Sequence, residues 1–111
     1  MQAQTSREGS VIVIKPVGPM IAAELEELDR QLQDVFSGWT PRIVVNMNEV
    51  AFLDSASLEL LCRYRNLVNE RGLSLKLCSV NEMTRQILEL TRLISRFDIY
   101  PDIVAAVRSY L

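Results

Sequence analysis

The 111-residue chain contains no histidine. That absence excludes every mechanism needing an imidazole base and removes the commonest metal ligand. Cysteine is scarce. Cys62 and Cys78 sit inside apolar segments and are too few for a disulfide framework, so reduced thiols and a cytoplasmic setting are expected. No apolar run approaches the ~18 residues of a membrane span; the longest are short stretches such as Val11 to Ile14, so direct membrane insertion is not expected. Met1 to Ser10 is polar and lacks the apolar segment of a secretory signal. Glycine and proline number four each while 49% of residues are hydrophobic, which excludes a wholly disordered or collagen-like chain. No single sign of charge dominates either. The net charge is −2, with 4 basic and 8 acidic residues in 1–56 and 8 basic and 6 acidic in 57–111. Neither half has the basic surplus of a protein held by phosphate backbones, so no nucleic-acid partner is expected.

What is present reads as one α/β domain over residues 1–111, with 1–8 either a weak edge strand or disordered. A turn at Glu8-Gly9-Ser10 precedes Val11-Ile12-Val13-Ile14, a β-branched run ended by Lys15-Pro16 and Gly18-Pro19. Ile21 to Phe36 carries Leu25, Leu28, Leu32 and Val35 three or four apart, which predicts an amphipathic helix stopped by Ser37-Gly38. Trp39-Thr40-Pro41 leads into a second β-branched run, Arg42 to Asn46. A helix beginning in Asp54-Ser55-Ala56-Ser57 carries Leu58, Leu61, Tyr64, Leu67 and Val68, and stops at Arg71-Gly72. Leu73 to Leu77 reads as a strand. The next helix places Met83, Ile87, Leu90 and Ile94 on one line; a short strand, Phe97 to Tyr100, and a last helix, Asp102 to Tyr110, follow. Such alternation implies a central mixed sheet of four to five strands packed with about four helices. Leu25, Leu28, Leu61, Leu67 and Ile87 should point inward with Val13 and Val45.

The inventory of reactive groups argues against an enzyme. No Gly-x-Gly-x-x-Gly follows a strand and no phosphate loop ends in Gly-Lys-Ser/Thr. The serines after Asp54 have no base to activate them. Cys62 reads as a small buried residue. The carboxylates Glu24, Glu26, Glu27 and Asp29 read as a solvated helix face, so neither metal nor cofactor is expected. Glu59 and Arg63 stand four apart as an ordinary surface pair. One segment admits two readings. Asp54 to Ser57 suits a helix N-cap, whose side-chain oxygen accepts orphan N–H groups. A helix start is also where a phosphate or a partner's carboxylate is favoured.

Val44-Val45-Asn46-Met47-Asn48-Glu49-Val50-Ala51-Phe52-Leu53-Asp54-Ser55 resembles the signature of STAS domains, the family named for sulfate transporters and anti-sigma factor antagonists. Gly18, Arg63-Tyr64-Arg65, Gly72 and Leu77-Cys78-Ser79-Val80 agree with it, and the likeness runs from about Gly9 to Leu111. A chain of this one domain resembles the stand-alone antagonist group. The resemblance implies a bacterial transcription-regulating module in which an anti-sigma factor, a serine kinase-like protein, phosphorylates the second hydroxyl residue of the motif and binds the unphosphorylated form. Here a gap-free match puts Ala56 at that switch position, with Ser55 before it and Ser57 where glycine is usual. Ile21 stands where many antagonists carry Asp.

The expected partner surface is Asp54, Ser55, Ala56, Ser57 and Glu59, joined by the loop of Gly18, Pro19 and Met20. Ser57 is expected to project from the first helical turn as the substitute phosphoacceptor, with Ser55 second because it should turn partly inward or serve as a cap. The alternative function is a structural STAS subunit of a signalling scaffold or of a lipid-transport ATPase complex. A monomer or weak dimer is expected.

Overall fold

The computed structural model describes residues 1–38 and 42–110. The link expected at Trp39-Thr40-Pro41 lies outside the described residues. The elements run β1 (Gln2–Glu8), β2 (Val11–Val17), α1 (Glu26–Phe36), β3 (Ile43–Asn46), α2 (Ser55–Glu70), β4 (Lys76–Cys78), α3 (Glu82–Leu90), β5 (Asp98–Tyr100) and α4 (Ile103–Arg108), with single 3-10 turns at Ala22–Glu24 and Ile94–Arg96. The five strands form one sheet in sequential order, β1 antiparallel to β2 and the other pairs parallel. The expected mixed α/β sheet is therefore what the chain forms.

Register decides which residues meet which layer. Ile14, Val45, Leu77 and Ile99 pair across the sheet and face the larger core, with Leu28 and Leu32 of α1, Leu61, Tyr64 and Val68 of α2, and Leu88 of α3. Val13 and Val44, paired with each other, face a smaller core closed by Ala106 of α4. Lys76 follows in that second layer and is buried in spite of its charge. Its ammonium lies 4.4 Å from the centre of the Tyr110 ring and 5.3 Å from that of Tyr100, so ring faces replace part of its lost hydration. The Tyr110 hydroxyl lies within hydrogen-bond reach of the Ile43 and Ser74 carbonyls, donates its one proton to either, and so holds the segment after α4 to the sheet.

Several boundaries differ from the sequence pattern. β1 is a full seven-residue edge strand, because pairing from Gln2↔Val17 to Glu8↔Val11 supplies the order its composition lacks. β2 continues through Lys15-Pro16. The missing N–H of Pro16 is tolerated where pairing with β3 has already ended at Ile14. The first helix opens as a 3-10 turn before α1 begins at Glu26. β4 is shorter and later than Leu73 to Leu77.

The inward line of α3 is also shifted. Leu88 and Thr84 are buried and Ile87 half-buried, while Met83 and Leu90 are 57% and 85% exposed. Asn81 sets this rotation: its side chain accepts from the Thr84 N–H at 2.8 Å and donates to the Val50 and Ala51 carbonyls, anchoring the helix start sideways. Leu28, Leu61, Val13 and Val45 are buried as expected; Leu25 and Leu67 are half-buried against the same core.

Replacing fully buried Leu61 by Ala is expected to cost about 2–5 kcal/mol in chemical denaturation. Thr84→Val should keep or raise the melting temperature, because the Thr84 hydroxyl is buried with no partner among the described residues. A lower melting temperature would contradict that orientation.

Candidate functional site

Parallel strands place the loops after β2, β3 and β4 at one edge of the sheet, where the starts of α2 and α3 also lie. Gly18 makes the first turn at φ +107°, a conformation that glycine adopts without a Cβ penalty. The two loops then stitch together. Gly18 N–H donates to the Glu49 carbonyl at 3.1 Å, Met20 N–H to the Phe52 carbonyl at 3.0 Å, and Asp54 N–H to the Met20 carbonyl at 3.1 Å. Met20 bridges Leu53 in parallel, and its side chain is completely buried. The loop therefore offers Gly18 and Pro19 at its surface, and Met20 must be withdrawn from the expected contact residues.

Asp54 is the N-cap of α2, as its place before the apolar run predicts. Its two carboxylate oxygens do different work. Oδ1 accepts the Ser57 N–H at 2.9 Å, and Oδ2 accepts the Ala22 N–H of the preceding loop, also at 2.9 Å. These backbone donors, Ser57 first and Ala22 second, hold the Asp54 carboxyl below the usual carboxylate range.

Ser57 is the main correction. It does not project; its relative exposure is 0%. Its Oγ lies 2.6 Å from the Met20 carbonyl oxygen and 2.9 Å from Asp54 Oδ1, and its single proton serves one of them at a time. A phosphate there would displace the loop it clamps, so Ser57 is a loop clamp and not an accessible acceptor. Ser55, expected to turn inward, is exposed instead. The sequence held the signal: Ser57, Leu61, Tyr64 and Val68 are spaced four, three and four along the buried stripe of α2.

Ala56 is half-exposed beside an open groove of about 580 Å³ between α1 and α2, lined among others by Ala22, Leu25, Glu59 and Leu60. At its far end Arg63 does not pair with Glu59. It reaches across to Asp29 at 2.8 Å, to which the Tyr64 hydroxyl also donates at 2.6 Å. Burial pulls the Asp29 carboxyl up, but the bonds from Tyr64 and Arg63 outweigh it and leave it below its ordinary value. Burial first, and the same carboxylate second, push the Tyr64 phenol up to about 12. Glu27 is lowered by its hydrogen bond from Arg30, 2.5 Å away, while Glu24 and Glu26 are exposed.

Sequence reasoning missed three further residues at this edge. Asn81 caps α3 and ties the third loop to the second. Phe52 and Met83 leave large apolar side chains in solvent beside that tie.

Two acid-sensitive contacts follow. Asp54 and Asp29 have folded pKa values below their unfolded ones. The stability they contribute is complete above the unfolded carboxylate pKa of about 4 and is lost as pH falls through the lower folded values. Thermal melts of Asp54→Asn should therefore fall less steeply than wild type between about pH 5 and pH 2. Ser57→Arg should cost about 1–3 kcal/mol or more, since the enclosed site has no room for the longer side chain and the Met20 loop must move. Wild-type stability for that variant would mean that Ser57 faces solvent after all.

The STAS domain family model matches residues 2–106. Among solved structures, a candidate anti-sigma factor antagonist of Thermotoga maritima superposes with TM-score 0.88 at 21% identity, covering 96% of this chain and 92% of that one. An anti-sigma-factor antagonist (STAS) domain protein of Planctomyces limnophilus gives 0.85 at 22% identity, covering 98% of each chain. The unphosphorylated anti-sigma factor antagonist SpoIIAA, a Bacillus protein, gives 0.77 at 16% identity, covering 98% of this chain and 96% of that one. At these identities the structures establish a common fold. No curated protein matches the chain in sequence.

Proposed function

The chain belongs to the STAS domain family, and on that footing we propose that it is an antagonist-type regulatory binding module. It engages an anti-sigma factor or similar serine kinase-like partner through the start of α2, in the cytoplasm of a bacterium, and carries out no catalysis of its own. The observation that carries this reading is the fixed first turn of α2. Asp54, Ser57 and the Met20 carbonyl hold it in place from inside, while Ser55, Ala56 and Glu59 are left facing solvent and the α1–α2 groove. A surface ordered before the partner arrives does not spend association energy on ordering itself. Among the described residues no helix is long and apolar enough to cross a membrane.

The position that the family resemblance marks as the switch is Ala56, which has no hydroxyl. Ser57 has one, but it is enclosed. The module is therefore proposed to stay competent for binding in the presence of ATP, with Ser55 the one hydroxyl of the segment that a kinase can reach. Ala56 also favours the second reading, a structural STAS subunit whose contacts are not switched.

Surface plasmon resonance with the serine kinase-like anti-sigma factor of the same organism tests the proposal. Wild type should bind with or without ATP. Ser55→Arg should weaken binding about tenfold or more and leave stability within about ±0.5 kcal/mol. Mass spectrometry after incubation with that kinase and ATP should find Ser57 unmodified. Binding that ATP abolishes, or phosphate on Ser57, would overturn the proposed regulation. Binding to a transporter subunit in place of the anti-sigma factor would establish the second reading.

A further inference from the structure

Phe52 and Met83 lie on different segments that the Asn81 side chain ties together, and both are exposed to solvent. Phe52 closes the loop after β3 and is 43% exposed, whereas its neighbour Leu53 is buried. Met83 stands in the first turn of α3 and is 57% exposed. Asn81 Nδ2 holds their segments together, donating to the Val50 carbonyl at 3.1 Å and the Ala51 carbonyl at 3.0 Å. A folded chain gains nothing by leaving both the ring and the thioether wet. Paired exposed apolar side chains ringed by polar groups are the anatomy of a docking centre.

The charge around them identifies what docks. Segments 18–26, 47–59, 79–85 and 101–102, all at this edge of the sheet, contain seven carboxylates and one guanidinium, Arg85, and the Met1 ammonium, 3.7 Å from Glu24, adds one more positive charge there. The rest of the chain has seven carboxylates and eleven cations. Capping explains Asp54 and Asp102, and the helix dipole favours Glu26 and Glu82. Glu49 lies in a loop and Glu59 beyond the first turn of α2, and neither has a capping role. Both are exposed, as is Glu82. Anionic lipid and nucleic acid carry the same sign as this edge and are repelled. A protein face with the opposite sign is attracted.

We infer that Phe52 and Met83 form the apolar centre of a docking surface for a basic protein face with an apolar recess, and that the first turn of α3, with Glu82, belongs to its footprint. The inference rests on the binding role proposed above and gives that partner its chemistry: arginine or lysine side chains around a pocket that takes the phenyl ring and the thioether. It also extends the contact from the start of α2 across the second loop to α3.

Calorimetric titration of the full chain into the serine kinase-like anti-sigma factor of the same organism tests it, at low salt and at about 1 M NaCl, where screening shrinks to about 3 Å. Phe52→Ser and Met83→Ser should each weaken binding about tenfold or more. The double variant Glu59→Lys with Glu82→Lys should weaken binding at low salt and lose most of the salt dependence that wild type shows. Leu90→Ser, at the far end of α3 and 85% exposed in wild type, should bind as wild type does. Circular dichroism melts unchanged from wild type assign each loss to docking and not to unfolding. Should wild type bind while Phe52→Ser, Met83→Ser and the double variant all stay within about twofold of it, the inference is overturned and the binding role stands. Failure of wild type to bind overturns both. Sedimentation showing that the chain pairs with itself through Phe52 and Met83 would make a second copy the occupant and overturn the basic partner.

Discussion

The carboxylate of Asp54 is the constraint on which this edge of the molecule depends. One oxygen closes the first turn of α2 and the other holds the Ala22 amide, so a single side chain sets two helix starts relative to each other. The Met20 carbonyl completes the arrangement by accepting from the Asp54 amide and lying within reach of the Ser57 hydroxyl. Backbone groups in a loop must find partners when water is excluded, and here they find them in the neighbouring loop. Asn81 repeats the device one strand further along, capping α3 and donating to the same central loop. The segment between β3 and α2 is thus tied on both sides, which is why a stretch without regular structure can present a defined surface.

That same topology distributes the charge. Three parallel crossovers send the helix starts to one edge of the sheet and the helix ends to the other. The helix dipole favours acidic residues at the first, while Arg108 of α4 is the one basic residue in a last turn among the described α-helices. Arg71 and Arg108 stand at helix ends, and Arg42 before β3, while Asp54, Glu82 and Asp102 stand at helix starts. A chain with a net charge of only −2 becomes strongly polarised by folding. Charge of one sign gathered at an edge steers a partner toward it and discriminates against partners of the same sign.

α2 joins the needs of the larger core to those of the surface. Its buried stripe runs Ser57, Leu61, Tyr64 and Val68, and Tyr64 is both packed edge-on against Phe36 and hydrogen-bonded to Asp29. Arg71 lies over the Phe36 ring at 4.1 Å and donates to the Phe36 carbonyl, so α1 and α2 are fastened at this end as well as beside Asp29. The groove between them is consequently a fixed feature of the surface beside Ala56.

Local chemistry determined much of this protein directly from its sequence. The β-branched runs at Val11 and Ile43, the three-and-four spacing of leucines in α1 and α2, and Asp54 before an apolar run fix elements whose order admits few topologies. The family motif is local too, and so could be read without coordinates. What the linear pattern left open was rotation and pairing between segments. Ser57 is small and polar, and its burial depends on a carbonyl 37 residues away. Arg63 chose Asp29 over Glu59 because α1 packs beside α2, which no spacing within α2 reveals. Met83 and Leu90 share an apolar line with Ile87, yet the Asn81 tie turns that line away from the core. Side-chain type sets which groups need burial or a partner; only the packing of distant segments decides which of them obtain it.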